Sequence, residues 1–150
     1  MKKGDWYKHL FGRIDQAISD EYYYEASFIC YGIIEDRLTS LMNKFGIPTA
    51  RKGVAAKIKA LAKVRDGKSE AAFLFADWDG GKYKDKGVMT DIMKWGELYR
   101  NPMQHTLGDP RVYKATIGNF HNDNTKDMAL EGKRVARELS AAVMRWKKKK

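Results

Sequence analysis

Apolar residues return every three or four positions along most of this chain, the spacing of one face of an α-helix. Trp6, Leu10, Ile14, Ala17 and Ile18 predict a first helix to residue 19, with Asp5 as its cap and Gly12 as a mild weakness. Residues 21–44 carry the broadest stripe: Ala26, Ile29, Cys30, Ile33, Ile34, Leu38, Leu41 and Met42, continued by Phe45. Gly46 is placed to stop this helix, and Ile47-Pro48 leads out of it. It is long for a small domain, and helices use such length as a spine or at a subunit interface.

Residues 47–53 read as a turn. A basic helix follows over 54–64, with Val54, Ile58, Leu61 and Val64 as the inward positions and Lys57, Lys59, Lys63 and Arg65 facing out. Residues 66–68 break it, and 69–75 form a short apolar patch whose state the pattern leaves open. Residues 77–87 read as a loop, rich in Asp, Gly and Lys, with Trp78 and Tyr83 inside it. Ile92, Trp95, Leu98 and Tyr99 predict a further helix over 89–99. Pro102 then permits either a restart, with Asn101 as cap and Gln104 completing a capping box, or a kinked continuation. Residues 108–124 are mixed, with Tyr113 and Phe120 as anchors. A last helix runs from 124 or 125 to 146 on Met128, Val135, Leu139, Ala142, Val143 and Trp146, with Gly132 as an internal weak point.

No alternating run reaches strand length, and no internal repeat appears. The pattern therefore predicts an all-α protein: a compact bundle of four long helices with one or two short ones, in a single domain over 1–150. Residues 147–150, four lysines, read as a disordered basic tail.

Composition sharpens this picture. Lys and Arg number 29 against 19 Asp and Glu, a net charge of +10, spread along both halves. Such an excess favours an anionic partner, nucleic acid first. One cysteine excludes an internal disulfide, and with three histidines it is too little for an ordinary multi-cysteine zinc site. The N-terminus lacks the apolar stretch of a signal peptide, and no run is long enough to cross a membrane. The expectation is a cytoplasmic protein in a reducing compartment, with no membrane partner.

The chemistry concentrates in Glu97-Leu98-Tyr99-Arg100-Asn101-Pro102-Met103-Gln104-His105. Arg100 offers a planar fork for phosphate oxygens. The imidazole of His105 can hold or release a proton near neutrality. Asn101 lies four residues before His105, on the same helix face. It can hold phosphate, fix the imidazole, or simply cap a helix. In a straight helix Arg100 and His105 diverge, so a break at Pro102 or a symmetry-related second copy would have to bring them together.

Arg100-Asn101, three further residues and His105 resemble the RxxxxH motif of HEPN domains, in which a small polar residue commonly follows the arginine. Residues 24–38, Tyr-Glu-Ala-Ser-Phe-Ile-Cys-Tyr-Gly-Ile-Ile-Glu-Asp-Arg-Leu, resemble the long early helix of these domains. Pro102 departs from the usual pattern and bears on the local helix geometry. The resemblance implies an all-helical domain that forms a two-fold homodimer, with two motifs facing each other in a basic cleft. Catalytic members are metal-independent endoribonucleases, often toxins or phage-defence components paired with an antitoxin. Others are catalytically silent modules for protein interaction or for nucleic-acid or nucleotide binding. For this chain it implies Arg100, Asn101 and His105 as the catalytic set, RNA as substrate, no metal and no cofactor.

Around that set several residues keep two readings. Glu25 and Glu35 either orient Arg100 or His105 or sit in ion pairs. Tyr99 and Tyr22, Tyr23, Tyr24 and Tyr31 either stack on bases or pack a helix crossing. Arg51, Lys52, Lys57, Lys59, Lys63, Lys82, Lys84 and Lys86 either guide an RNA backbone or form a solvated face. Arg100 could instead pair with Glu97 or Glu131. His9 and His121 belong to no constellation and read as structural or surface residues.

Overall fold

The structure is a computed structural model that describes residues 1–49, 53–67, 87–96 and 123–148. These residues are mostly helical, and no strand occurs among them. Among the described residues there are five helices: α1 (Lys3–Ser19), α2 (Tyr23–Lys44), α3 (Val54–Gly67), α4 (Gly87–Trp95) and α5 (Asp123–Lys148). The apolar patch over 69–75, the restart at Asn101 and the anchors Tyr113 and Phe120 lie outside the described residues.

Backbone hydrogen bonds explain where the first helices begin and end. The Trp6 amide donates to the Lys2 carbonyl at 3.1 Å, so α1 starts ahead of Asp5. Lys2 is the cap residue and makes no side-chain cap bond, while Asp5 lies in the first turn, where its charge suits the positive end of the helix dipole. At the other end the Tyr22 amide donates to Ala17 and the Glu21 amide to Ile18. Glu21 takes a φ of +64°, which completes a Schellman cap usually built on glycine. That left-handed residue is why α2 begins at Tyr23 rather than at the expected residue 21. Gly46 performs the same task after α2, with a φ of +67° and an Ile47 amide bonded to the Met42 carbonyl at 2.9 Å.

The chain divides into two compact units. The first comprises residues 1–31 and 94–134, the second residues 32–93 and 135–150. In the first unit Ile14, Ala17, Ala26, Cys30, Trp95, Met128 and Ala129 are buried. Trp95 is its fixed point. The indole N–H donates to the Met128 carbonyl at 2.8 Å, and the ring lies against Gly132, which is buried. A Cβ on Gly132 would stand 2.8 Å from Trp95 Cζ2, inside van der Waals contact. Gly132, expected as a weak point, is thus the opening that admits an indole. Arg13 and Glu25 join α1 to α2 at 2.6 Å, and Lys133 pairs with Asp15.

In the second unit the buried apolar residues are Ile33, Ile34, Leu38, Leu41 and Met42 of α2, Ile58 and Leu61 of α3, Met89 and Ile92 of α4, and Val135, Ala136, Leu139, Ala142 and Val143 of α5. The inward positions expected on α2 and α5 are largely these. Lys57 is the exception to the expected polarity: it is 4% exposed rather than facing out. Its ammonium donates to Glu35 Oε1 at 3.1 Å and to Thr39 Oγ1 at 2.9 Å. Position 57 lies one residue before Ile58 and three after Val54, on the inner side of α3, so the lysine stem is packed while its head is held by α2. Finally, α5 continues through Lys148. Lys147 and Lys148, expected in a disordered tail, extend the helix, where lysines are good helix formers and suit the negative end of the dipole.

Candidate nucleic-acid interface

Arg100, Asn101, His105 and Tyr99 lie outside the described residues, as do Arg51, Lys52, Lys82, Lys84 and Lys86. Lys63 belongs to α3. The last residue of α4, Trp95, is anchored on α5, and in sequence it precedes the motif.

The two carboxylates considered as orienting groups are both in ion pairs. Glu25 is exposed and bonded to Arg13, and Glu35 is half-buried and bonded to Lys57. Lys57 is thereby removed from the set of cations offered to a phosphate backbone: a buried ammonium already holding two oxygens is not a surface contact. Lys59, two residues on, is exposed. Glu131, considered as a partner of Arg100, receives a bidentate contact from Arg134 at 2.6 and 2.9 Å. Tyr22, just ahead of α2, is exposed; on α2 Tyr23, Tyr24 and Tyr31 are half-buried, and Phe28 is 77% exposed.

Two features of α1 escaped the periodic reading. Trp6, expected inward, is 48% exposed, and its indole stacks on the His9 imidazole with centroids 5.4 Å apart and planes at 26°. The Lys3 ammonium stands 6.0 Å from the Tyr7 ring centroid, the outer limit of a cation–π contact. The signal available in the sequence was the three-residue spacing of Trp6 and His9, which puts both rings on one side of the helix.

Among the described residues no group of three or more His, Cys, Asp and Glu side chains is placed to hold a metal ion, and no helix is long and apolar enough to cross a membrane. Cys30 is buried, and burial pushes its thiol up to about 12. Its folded value thus lies above the unfolded one, so the stabilisation from keeping the thiol neutral is complete below about pH 9. It is lost on rising toward the folded value, at about 1.4 kcal/mol per pH unit. The native protein is expected to resist a thiol-reactive dye at pH 8 and to label fully in denaturant. Rapid native labelling would show that the burial is wrong.

No protein-family model matches the chain, and no curated protein or solved structure does.

Proposed function

We propose that this chain is a HEPN-type endoribonuclease that cuts RNA without a metal ion. The observation that carries the reading is the Arg100-Asn101-x-x-x-His105 motif, set a few residues after a helix whose end is tied down through Trp95. The mostly helical described residues support it, as does the presence of four helices of 14 to 26 residues beside a short one. We read the whole fold as an HEPN-like bundle of four long helices. The net charge of +10 suits an RNA substrate.

In this reading the 2′-hydroxyl of RNA is the nucleophile. His105 removes its proton, and the 2′-oxygen forms a bond to phosphorus as the bond to the 5′-oxygen breaks. The leaving 5′-oxygen takes a proton from an acid, a role that His105 of a second copy fills in a homodimer. Arg100 neutralises charge on the non-bridging oxygens, and Asn101 holds the phosphate or the imidazole. The products are a 2′,3′-cyclic phosphate and a 5′-hydroxyl. Cleavage by this route needs no cofactor. A toxin or phage-defence role, with an antitoxin masking the groove, accommodates such an activity in a cell.

The test is single-stranded RNA incubated with the full chain in excess chelator, with the product ends resolved. Cleavage should persist and give cyclic phosphate ends. Cleavage that stops in chelator, or that leaves 3′-hydroxyl ends, refutes the mechanism.

A second reading is favoured by the surface of α2. Phe28 is strongly exposed there, as is Tyr22 just ahead of the helix, and a large exposed aromatic on a long helix is typical of a contact surface. On this reading the chain is a catalytically silent helical module that assembles a complex through α2. Intact RNA after prolonged incubation, together with loss of self-association or partner capture in Phe28→Ser, distinguishes it.

A further inference from the structure

The outer flank of α1 carries a combination of side chains that the RxxxxH motif does not use. At 100° per residue, positions 2, 6, 9 and 13 fall within about 60° of arc and extend over about 16 Å. They are Lys2, Trp6, His9 and Arg13, and all four are exposed. Lys3 and Lys8, also exposed, lie on either side. The opposing charges are Asp5 at one edge and Glu25, which is bonded to Arg13 through one guanidinium nitrogen. An arginine has five N–H donors, so that bond leaves others for a phosphate.

We infer that this flank of α1 binds single-stranded RNA, with a base stacked on the Trp6–His9 pair and the flanking cations on the phosphates. The inference rests on RNA being the substrate class proposed above, and it assigns RNA contacts to residues of α1 that the motif at 97–105 does not include. Three observations carry it. First, a tryptophan half in solvent already holds a flat ring in a stacked geometry, which shows what the exposed indole accepts. Second, cations stand on both sides of the aromatic pair along the helix. That is the arrangement a single strand requires, because its bases and phosphates alternate.

The third observation excludes a membrane surface. A helix lying in a bilayer interface inserts its apolar face. The apolar face of α1 is already used: Ile14 and Ala17 are buried, and Leu10, Phe11 and Ile18 are half-buried. What remains outside is one indole among polar groups. Duplex RNA is disfavoured because its base faces are covered by their neighbours.

The experiment measures binding of the full chain to a labelled 2′-O-methyl oligoribonucleotide, which lacks the nucleophilic hydroxyl and cannot be cut by the proposed route. Trp6→Ala should weaken binding about tenfold with the salt dependence unchanged, the size expected for loss of one stacked base. Trp6→Phe should recover most of it. Lys2→Gln with Lys3→Gln should flatten the dependence of log K on log salt by up to about 1.4, at about 0.7 for each phosphate contact. Far-UV circular dichroism confirms that α1 persists in each variant.

Equal affinity in wild type and Trp6→Ala overturns the inference. So does the same loss on duplex RNA, or Trp6-dependent binding to phosphatidylserine vesicles with RNA binding unchanged. The two proposals fail separately. Trp6-dependent binding without cleavage of ordinary RNA leaves this surface standing and removes the nuclease. Cleavage with Trp6-independent binding does the reverse.

Discussion

His105→Ala is expected to lower RNA cleavage by about 10²–10⁴-fold, the contribution of a positioned general acid or base. Arg100→Ala should cost about 10²–10³-fold through the lost stabilisation of charge on the phosphate. The double variant should be little worse than His105→Ala alone, because groups that act on one transition state are not additive. Both single variants should keep the helical circular dichroism spectrum and melting temperature of wild type, and both should still bind the 2′-O-methyl oligonucleotide. His121→Ala, outside any constellation in the sequence, should cut as wild type does. Purifying wild type and the four variants identically also disposes of a contaminating nuclease, since a contaminant ignores the substitutions. Unchanged cleavage in both single variants would end the assignment of catalysis to residues 100–105.

Gly132→Ala presents the opposite expectation from the one helix propensity suggests. In an exposed helix interior, alanine for glycine gains up to about 1 kcal/mol. Here the added methyl meets Trp95 Cζ2 at 2.8 Å and Cε2 at 3.0 Å, and the indole is not free to retreat, because its N–H is bonded to the Met128 carbonyl. Either α5 shifts or that bond breaks. The expected net loss is about 1–3 kcal/mol, typical of an overpacked site. For a chain of this size that is several degrees of melting temperature. Trp95→Phe removes both the clashing atoms and the hydrogen bond, so Gly132→Ala in the Trp95→Phe background should cost less than it does alone. A melting temperature that rises in Gly132→Ala would show that the contact is not as drawn. Trp95 also ends α4 a few residues before Arg100, so the same substitution should reduce cleavage more than it reduces RNA binding.

Which parts of this were readable from residue order differs by element. The stripe on α2 was readable almost in full: Ala26, Cys30, Ile33, Ile34, Leu38, Leu41 and Met42 are all buried. A helix of fixed pitch with one apolar face has one stable orientation, so periodicity suffices. The stop at Gly46 was readable because glycine takes a left-handed φ without strain. The stop at Glu21 was not, since nothing in a glutamate announces that conformation. Lys57 was misread because its charge outweighed its position between Val54 and Leu61. The compensating Glu35 and Thr39 come from another helix. Trp6 was misread in the other direction, as an apolar residue at the margin of the stripe on α1.

The sequence by itself determined that the described residues are mostly helical, where most of their helices run, and that an arginine, an asparagine and a histidine fall within six consecutive positions after α4 in the chain. Those are properties of spacing and residue type, which the helix repeat converts directly into faces. Only the tertiary structure decided that a lysine lies inside α3, that Gly132 receives an indole, and that Trp6 faces solvent beside His9. Each depends on which side chain arrives from elsewhere in the chain, and close packing admits or refuses it by fractions of an ångström.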